Sequence, residues 1–578
     1  MRIKIAPSLQ ILVISIAIIW HSLILLKSQT LPIDWQVSIP SVSTFSSPRT
    51  IDLNGDSIQD IIIGAGVEEL PSTQGIYAFD GVDGSILWQR YTRDQIYGSP
   101  LFYDLNQDGI PDVIISGRNA QLLALDGTNG FVLWEFWPDT KGNPLDSNWY
   151  NFYLPQWIAD QDHDSIPDLI ISNGGNPNIN TSDKDRDPGY LMAISAASGQ
   201  IIQVDTMPDG QETYHSPLVV DFLQTGDPYI LFGSGGETVG GSFWEVQLSD
   251  FLQNGLSHAR ALLTHPDKGY IAVPSIADLN QDGVPDVIVP QLRESLIALD
   301  GKTKQELWRH TELLHDFYVS PTIGQFTGDL TPDIFTTASY GNWPFYQSSI
   351  RLVIDGSNGQ VVWSETGFPF QMSAGLALDW DADGYDEIIF PINEDTASTS
   401  RYYQHQLHLF DFDDQIFTPI DSIRPGVMMF SMPLITDLEG DQNWELIFTT
   451  HDNSQDWYRP AGFTLYRADL GRFAERLAWG GYQGSMGDGF YPQDLVLGLE
   501  TQTISRLSIY PNPVQETLFV RSAESQRIES ISLYDMQGRL VAASRRTPNL
   551  MLGDLPTGLY LYQIRIGNEV ASGRIIKH

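Results

Sequence analysis

Residues 104–116 read DLNQDGIPDVIIS, and this stretch decides the fold because its pattern recurs along the chain. An acidic turn is followed each time by a short, apolar, β-branched run, which is typical of a buried strand. Successive copies start 47 to 61 residues apart, a period that fits a four-stranded propeller blade better than a solenoid rung. Copies begin at Asp52, Asp104, Asp160, Asp278, Asp379 and Asp437, and decayed copies begin at Asp221 and Gln325.

A second signature, A-x-D-G-x-x-G-x-x-L-W, alternates with the first and ends at Trp88, Trp134 and Trp308, with a variant ending at Trp363. Its Asp-Gly pair suits a tight turn, and the alternating residues around it predict a β-hairpin. Each repeat therefore divides into four strands, which in the second copy are SPLFYD, VIIS, LLALD and FVLWEF. Eight such units predict an all-β, eight-bladed β-propeller, with a seven-bladed ring as the alternative.

The segment DWQVSIP, residues 34–40, resembles a fourth blade strand that has no blade before it. We expect it to pair with the last blade, because this pairing would close the ring and remove an open sheet edge. The predicted propeller then covers residues 31–495.

The acidic turns place oxygen-bearing side chains at positions 1, 3, 5 and 9. A turn of this length folds such ligands around one hard cation, and Ca²⁺ accepts six to eight oxygens at flexible angles. An EF-hand is rejected, because its position 12 must be glutamate and here falls inside a predicted strand. A metal-free Asx-rich turn is the alternative, although repeated clusters of like charges favour bound counter-ions.

We therefore predict several structural Ca²⁺ sites in the six acidic copies and none in the two decayed ones. The predicted ligands are Asp52, Asn54, Asp56 and Asp60; Asp104, Asn106, Asp108 and Asp112; Asp160, Asp162, Asp164 and Asp168; Asp278, Asn280, Asp282 and Asp286; Asp379, Asp381, Asp383 and Glu387; and Asp437, Glu439, Asp441 and Glu445.

Composition narrows the class of protein. The chain of 578 residues is 42% hydrophobic and 11% aromatic, which indicates a folded core rather than disorder. Its formal net charge of −40 repels phosphates, so we expect no nucleic acid partner. It has no cysteine, so the fold uses neither disulfides nor thiolate metal sites.

The N-terminus has the pattern of a targeting segment. Arg2 and Lys4 precede an apolar run over residues 9–26, and the small Ser28 offers a cleavage point. We predict a signal peptide over residues 1–28. An uncleaved anchor is the alternative, because the run approaches the ~20 residues that span a bilayer. No later segment is apolar enough to span, so we expect no stable transmembrane anchor after processing.

The acidic loops resemble the FG-GAP/VCBS repeats of integrin-α-like propellers, whose blades carry calcium loops between their first two strands. The resemblance implies the same location and a structural role for the loops here. The tryptophan signature resembles the docking motif of pyrroloquinoline quinone (PQQ) dehydrogenase propellers. It implies that Trp88, Trp134, Trp308 and Trp363 pack neighbouring blades together. No local motif transfers the quinone site.

Three motifs follow one another near the C-terminus: LSIYPNPVQETLFV (507–520), ISLYDMQGRLV (531–541) and LPTGLYLYQIRIGNEVASGRIIKH (555–578). Their strand and turn pattern predicts a small β-sandwich over residues 505–578, after a linker at 496–504. The motifs resemble the type A sorting domain of type IX secretion substrates; an ordinary adhesive sandwich is the alternative. The resemblance implies a Bacteroidota-type export route, the type IX machinery as a partner, and a secreted or surface-attached protein.

Aromatic residues recur just before the first strand of most blades, where the entrances of a propeller converge on its central funnel. Aromatic rings stack on sugars and anchor protein partners, although packing between blades is the alternative for any single ring. The candidate ligand-binding residues are Tyr97, Tyr153, Tyr214, His215, Tyr270, Tyr318, Trp343 and Trp457, with Phe370 and Phe430 at equivalent entrances.

These patterns favour a secreted or cell-surface, calcium-binding propeller that acts as a binding or adhesion module for a glycan or a protein. The alternative is an enzyme, either a polysaccharide lyase or a PQQ-type quinoprotein. The sequence has no nucleophile elbow, zinc motif or phosphate loop. A binding role without catalytic residues is therefore the stronger prediction.

Overall fold

The computed structural model describes residues 31–491, except 181–182, 330, 342–345, 369–370, 372, 382, 397–400, 413–414, 457–458, 460 and 472–476. It also describes 507–577, except 511–513, 516, 523–527, 535–539, 546–548, 554, 556–557 and 567–568. The chain divides into two compact units, Met1–Pro492 and Gln493–His578. The predicted signal peptide and linker, together with Trp343, Phe370 and Trp457, lie outside the described residues. Among the described helices, none has the length and hydropathy needed to cross a membrane.

The first unit is all-β and propeller-like, and begins with strand β1 (Ile33–Pro40). Four antiparallel sheets then follow in chain order. They contain β2 (Arg49–Ile51), β3 (Asp60–Gly64), β4 (Ser72–Phe79) and β5 (Ile86–Thr92); β6 (Leu101–Tyr103), β7 (Asp112–Ser116), β8 (Leu122–Leu125) and β9 (Val132–Glu135); β10 (Asn151–Phe152), β11 (Gln156–Ile158), β12 (Asp168–Gly174), β13 (Tyr190–Ile194) and β14 (Ile201–Thr206); and β15 (Leu218–Val220), β16 (Tyr229–Gly233), β17 (Gly241–Gln247) and β18 (Arg260–His265).

An eight-stranded sheet follows, which consists of two four-stranded halves. The fourth strand of the first half pairs with the second strand of the other half. Its strands are β19 (Ser275–Ala277), β20 (Asp286–Gln291), β21 (Arg293–Leu299), β22 (Glu306–Asp316), β23 (Thr322–Gly324), β24 (Asp333–Tyr340), β25 (Ser348–Ile354) and β26 (Val361–Gly367). The last two sheets contain β27 (Leu376–Leu378), β28 (Glu387–Asp395), β29 (Tyr403–Asp411), β30 (Ile416–Pro419), β31 (Arg424–Pro425) and β35 (Leu477–Trp479), and β32 (Leu434–Thr436), β33 (Trp444–His451) and β34 (Gly462–Gly471). One short α-helix, α1 (Leu248–Asn254), and 3₁₀ turns at Asp139–Lys141 and Pro144–Ser147 interrupt the strands.

The second strand of each repeat forms the core, as its uninterrupted apolar run predicts. All five residues of β3 and of β7 are buried, which matches strands that are covered on both faces. The fourth strands β5 and β9 keep exposed positions along their length. The four strands predicted for the second repeat are confirmed as β6 to β9.

Consecutive sheets contact one another around the whole unit, so the sheets form a ring. The contacts join Trp35 Nε1 to Gly81 O (3.2 Å), Trp88 Nε1 to Gly127 O (2.7 Å), Trp134 Nε1 to Ala196 O (2.7 Å), Leu256 N to Asp205 Oδ2 (2.8 Å), Lys304 Nζ to the Phe222 ring (3.0 Å), Trp308 Nε1 to Gly356 O (2.7 Å), Trp363 to Phe410 (ring centroids 4.4 Å) and Arg424 to the Tyr466 ring (4.7 Å).

The ring is closed by β1, which pairs antiparallel with β34 from Ile33–Ala468 to Pro40–Gly462. A cross-strand pair, Ser38 Oγ and Thr464 Oγ1 at 2.8 Å, joins residues 426 positions apart. This pairing confirms the closure that was predicted from residues 34–40. It also gives the last sheet its fourth strand, in the order β1-β34-β33-β32.

Residues 477–491, which we call the plug segment, run across the middle of the ring. Strand β35 pairs with β27 through Trp479 and Ala377, and Phe490 makes a parallel bridge with Ile276 of β19. The guanidinium of Arg49, in β2, donates to the carbonyls of Tyr482, Met486 and Gly487 at 3.4–3.5 Å. The plug segment thus contacts the innermost strands of several sheets, and the sequence patterns did not predict it.

The second unit has its own apolar core, to which Leu518, Ile531 and Ile564 contribute. Its strands are β36 (Leu507–Tyr510), β37 (Thr517–Ser522), β38 (Ile528–Tyr534), β39 (Leu540–Arg545), β40 (Asn549–Met551), β41 (Gly558–Ile566) and β42 (Glu569–Lys577). They form two antiparallel sheets, in the orders β36-β37-β40 and β39-β38-β41-β42.

Candidate functional site

The acidic turns connect the first and second strands of the sheets, and their ninth residue is a buried carboxylate. Asp112 accepts from the backbone N–H of Leu105 at 2.8 Å and from that of Gly127, in the hairpin turn of the same sheet, at 3.0 Å. Asp286 makes the equivalent two bonds at 2.8 Å each. Burial raises the pKa of Asp286 to about 6. In these two copies, and at Asp60, which accepts from the N–H of Gly81 at 3.1 Å, the ninth residue therefore ties the acidic turn to the neighbouring hairpin turn.

That hairpin turn continues the connection into the preceding sheet. The carbonyl of Gly127 accepts from the indole N–H of Trp88 at 2.7 Å. A Cβ on Gly127 would collide with the carbonyl oxygen of Pro111, which explains the glycine of the Asp-Gly pair. Trp308 and Gly356 repeat the arrangement further along the ring. Acidic turn, glycine and tryptophan thus form one hydrogen-bonded relay between adjacent sheets.

Positions 1, 3 and 5 each use an oxygen to hold the turn together. Asp278 accepts from the backbone N–H groups of Asp282 and Gly283, at 3.1 and 2.8 Å. Asn280 accepts from the N–H of Asp282 at 2.9 Å, and Asp282 from that of Val284 at 2.9 Å. Asp278 uses both of its oxygens and Asn280 its single one, but each oxygen has more than one lone pair, so capacity for a cation remains at positions 1, 3 and 5.

The decayed copies show which positions of the turn hold it together when the full set of acidic residues is missing. Asp333, at position 9 of the copy that begins at Gln325, accepts from the N–H groups of Phe326 and Thr327 at 3.1 and 2.8 Å, like its acidic counterparts. Asp221, at position 1 of the other decayed copy, accepts from Thr225 N at 3.0 Å. Position 1 in one decayed copy and position 9 in the other therefore serve the fold, and so does position 5, where Asp329 accepts from the N–H of Thr331 at 2.7 Å.

Two turns bring three carboxylates into mutual reach. One oxygen from each of Asp160, Asp162 and Asp168 lies within 4.8 Å of the others, and the same holds for Asp379, Asp381 and Glu387. Such oxygen-only sets fit a hard cation such as Ca²⁺. Burial raises the pKa of Glu387 to about 8.

The turn at Asp437 has a buried guanidinium beside two of its predicted ligands, whereas at Asp282, among the described residues, only the exposed Lys302 comes near, at 3.8 Å. The guanidinium of Arg467, on β34, makes a close ion pair with Glu439 and lies 3.5 Å from Glu445. It also donates to the carbonyl of Gly81 at 2.7 Å. Two of the four predicted ligands of this turn are therefore already engaged by a side chain.

A cavity of about 540 Å³ lies at the end of the ring opposite the acidic turns. Two kinds of segment form its walls: those that lead into the first strand of a sheet, and the loops between second and third strands. In an antiparallel sheet both lie at the end opposite the acidic turns, which connect first and second strands. The aromatic residues of its wall are Phe45, Tyr97, Tyr153, Tyr214, Tyr318 and Phe430, and Tyr482 of the plug segment contributes as well.

Three of these tyrosines form a continuous arc along one wall. The ring centroids of Tyr97 and Tyr153 are 5.7 Å apart, and those of Tyr153 and Tyr214 are 6.2 Å apart. The guanidinium of Arg118 lies 5.7 Å from the centroid of Tyr97. Burial raises the pKa of all three phenols, so the arc is uncharged at neutral pH.

The structure separates the predicted ligand-binding residues into two groups. Tyr97, Tyr153, Tyr214 and Tyr318 line the cavity together. His215 and Tyr270 do not, since they are 0% and 1% exposed and both pack against Phe243 in the core. Expecting these two at the ligand face was wrong, because their side chains point between the sheets.

Sequence patterns did not find the charged residues of the cavity. Arg186 pairs with Glu212 at 3.2 Å and Arg118 with Glu68 at 2.6 Å, and Glu237 accepts from the hydroxyl of Tyr318 at 3.4 Å. These residues lie on loops that differ in length and sequence from one repeat to the next. The repeat itself therefore carries no signal for them.

Family models match two parts of the chain. A model described as the FAM234A/B beta-propeller matches residues 35–374. A model described as the secretion system C-terminal sorting domain matches residues 508–578. The sorting domain is of the type IX class, which implies interaction with that secretion machinery. The protein is thus exported, and is secreted or attached to the outer-membrane surface.

Solved propeller structures resemble the chain at low sequence identity, and no curated protein sequence matches it. A europium-containing methanol dehydrogenase has a TM-score of 0.50 at 10% identity, over 76% of this chain and 93% of that one. Quinohemoprotein alcohol dehydrogenase from Comamonas testosteroni gives 0.48 at 11% identity, over 78% of both chains. The exotype rhamnogalacturonan lyase YesX gives 0.47 at 15%, over 75% of this chain and 72% of that one. At such identities the likeness concerns the fold alone.

Proposed function

The chain belongs to the FAM234A/B β-propeller family, and from this premise we propose that it is an exported binding module whose ligand enters the central cavity. The observation that carries the proposal is the cavity itself. It is concave, has a volume in the range of ligand sites, and is walled by aromatic rings with a few polar groups among them.

The plug segment supports this role, because it gives the cavity a floor. Tyr482 belongs both to the plug segment and to the cavity wall, and Ile276 N donates to Gly489 O at 2.8 Å just beyond it. A ligand therefore enters from one side and meets a surface built from the middle of the ring.

The size of the cavity favours a glycan over a protein partner. A protein interface of standard size buries about 800 Å² on each side, which calls for a broad surface, whereas this recess accepts a few sugar units. Tyrosine faces stack on sugar rings, and their hydroxyls with Arg118, Arg186 and Asn151 supply hydrogen-bonding groups.

An array of immobilised glycans tests the proposal. We expect the calcium-loaded protein to bind one glycan class without altering it, and the triple variant Tyr97→Ala, Tyr153→Ala, Tyr214→Ala to lose that binding at least ten-fold. The matched control is Tyr91→Ala, Tyr385→Ala, which removes two exposed tyrosines outside the cavity. Equal binding by the cavity variant and the control would contradict the proposal. Unsaturated sugar products or quinone-dependent dye reduction would favour the enzymatic alternative.

We also propose that Ca²⁺ stabilises the opposite end of the ring. The turns at Asp52, Asp104, Asp160, Asp278 and Asp379 offer oxygens at positions 1, 3 and 5. At the sixth turn, Arg467 takes the place of a metal ion. This places the proposed cations between first and second strands, as in the FG-GAP/VCBS repeats that the turns resemble.

Elemental analysis of protein purified with calcium tests the second proposal. We expect more than one and at most five calcium ions per chain, and a melting temperature several degrees lower after exhaustive chelation, because binding to the folded state stabilises it. Protein that retains no divalent ion, or an unchanged melting curve, would contradict it.

Two features of the architecture complete the proposal. We interpret the ring as eight blades, with the eight-stranded sheet counted as two, and the second unit as a sandwich of its two sheets. The supporting observations are the eight contacts around the ring, seven between sheets and one between the two halves of the eight-stranded sheet, and the shared apolar core of residues such as Leu518 and Ile564.

A further inference from the structure

The charges around the cavity are unequal. Its wall contains two guanidinium groups, Arg118 and Arg186, and three carboxylates, Glu68, Glu69 and Glu237. Glu212 lies just behind the wall and pairs with Arg186. A third guanidinium, that of Arg459, borders an adjoining recess but is 3.6 Å from its own partner, Asp456.

Both cations of the wall are already neutralised by the chain. Arg186 contacts Glu212 at 3.2 Å and donates to the carbonyls of Ile179 and Asn180 at 3.1 and 3.3 Å. Arg118 pairs with Glu68 at 2.6 Å. An acidic sugar would have to displace these internal partners and would also approach a chain of net charge −40.

Among the described residues, two carboxylates of the wall have no ion pair: the exposed Glu69 and the half-buried Glu237. Within the described residues, no Lys or Arg nitrogen lies within 4.0 Å of the Glu237 carboxylate, the distance limit for an ion pair. Lys268, which acts on it from a distance, is bonded to Asp316 at 3.3 Å. Burial raises the pKa of Glu237 and the neighbouring Glu212 raises it further, while the more distant Lys268 and Arg186 lower it. A cation that arrives from outside would relieve both effects.

Two tyrosine side chains lie beside the same carboxylate. Tyr318 donates its hydroxyl to Glu237, and the ring of Tyr214 packs against Gly236, the residue before it. A carboxylate next to aromatic rings is the arrangement that receives an ammonium group, since the ring faces attract a cation as the carboxylate does. Within the proposed glycan-binding function, on which this step depends, we infer that the ligand is an amino sugar polymer whose free ammonium group is received by Glu237.

Three oligosaccharides with the same β-1,4-linked backbone isolate the charge of the ligand. They are the hexamer of glucosamine, the same hexamer fully N-acetylated, and the hexamer of glucose. Titration calorimetry of the full calcium-loaded chain at physiological salt, below the pKa of the sugar amines, measures each affinity. We expect the glucosamine hexamer to bind at least ten-fold more tightly than either neutral hexamer.

Matched variants assign the preference to one residue. Glu237→Gln should bring the ratio of affinities for the glucosamine and neutral hexamers to within two-fold of unity. Tyr318→Phe, which removes the hydroxyl bonded to Glu237, should reduce this ratio about three-fold. Glu306→Gln removes the same charge from the exposed outer strand β22 and should leave it unchanged. Thermal unfolding of each variant checks that the ring is intact.

The outcomes separate the two proposals. Equal affinity for the three hexamers, or tighter binding of a neutral one, overturns the inference and leaves the glycan-binding function in place. A preference that persists in both Glu237→Gln and Tyr318→Phe overturns the assignment to Glu237. If none of the hexamers binds while another glycan class does, the amino sugar is overturned; if no glycan binds at all, both proposals fall.

Discussion

The two ends of the ring are built on different principles. At the end with the acidic turns, the same residues recur from sheet to sheet, and the turns at Asp52 and Asp104 are each linked through a glycine to a tryptophan of the sheet before them. At the cavity end, adjacent loops differ in length and composition, and a single segment from the end of the unit, the plug segment, closes the floor. The difference suggests that repetition serves assembly of the ring and irregularity serves recognition.

The comparison predicts that the repeated end is the more sensitive to substitution. Trp308 is 7% exposed and donates to Gly356 of the other half of the eight-stranded sheet at 2.7 Å, so Trp308→Ala should destabilise the protein by ~3–5 kcal/mol. Trp308→Phe keeps most of the packing and should cost about 1 kcal/mol for the lost hydrogen bond. Thermal and urea unfolding at fixed calcium measure both changes. Equal losses for the two variants would show that the hydrogen bond, not the ring packing, joins the sheets.

A pair of isosteric variants tests whether calcium belongs to the intact turns alone. Asp282→Asn keeps an oxygen for the N–H of Val284 but loses a charge, and Asp329→Asn makes the same change at position 5 of a decayed copy, where Asp329 accepts from Thr331 N at 2.7 Å. We expect Asp282→Asn to remove the contribution of one site, ~2.7 kcal/mol when calcium is 100-fold above its Kd. Asp329→Asn should change little.

The measurement is the gain in unfolding free energy when calcium is added to metal-free protein. In the absence of calcium the two variants should stay within about 1 kcal/mol of the parent chain, since the turn keeps its hydrogen bonds and Asp282 loses only an exposed ion pair with Lys302. A calcium-dependent gain that is reduced equally by both substitutions would remove the distinction between intact and decayed copies.

Within the cavity end, the contacts of the plug segment should be as sensitive to substitution as those of the repeated end. Arg49→Met removes the guanidinium that donates to three carbonyls of this segment, and the expected loss is ~1.5–3 kcal/mol, as for other hydrogen bonds to charged groups. Arg309→Met, on the outer strand with an exposed partner in Glu306, should cost no more than about 1 kcal/mol. Increased protease cleavage within 477–491 in the Arg49 variant alone would show that the segment has been released.

The wall of the cavity should tolerate change best. Phe45 lines the cavity and packs on Phe430 with ring centroids 4.3 Å apart, so Phe45→Leu should cost only ~0.5–1.5 kcal/mol in stability. The loss of glycan-binding free energy should exceed the loss of unfolding free energy. Calorimetry and thermal unfolding measure the two on the same sample. A loss of stability as large as that of Trp308→Ala would contradict the division between the two ends.

Local patterns reveal the repeated end and say little about the other. The spacing of the Asp-rich turns, the Asp-Gly hairpins and the closing strand β1 were all predictable, because each depends on residues close together in sequence or on a missing partner for one strand. The role of position 9 was not, since its hydrogen bond to Gly127 crosses between turns. Arg467 could not be found either, because it meets Glu439, 28 residues away, only once β33 and β34 have paired. Glu237 could not be found because Tyr318, its partner, comes from another repeat.

Aromatic residues show the same limit in another way. Tyr214 and His215 are neighbours in sequence and both were expected at the ligand face, yet one lines the cavity and the other is fully buried. Successive residues of an extended segment point to opposite sides. Two neighbouring residues such as Tyr214 and His215 therefore cannot both face the cavity.

The pairing of β1 with β34 has a consequence for how the protein is made. A chain that is synthesised from its N-terminus holds its first strand without a partner until the residues around Thr464 have been added. Throughout that interval the molecule is an arc with two bare ends, each able to recruit a strand from another nascent chain. Fragments that stop before the final sheet should accordingly form aggregates, and supplying the missing final sheet as a separate polypeptide should rescue them.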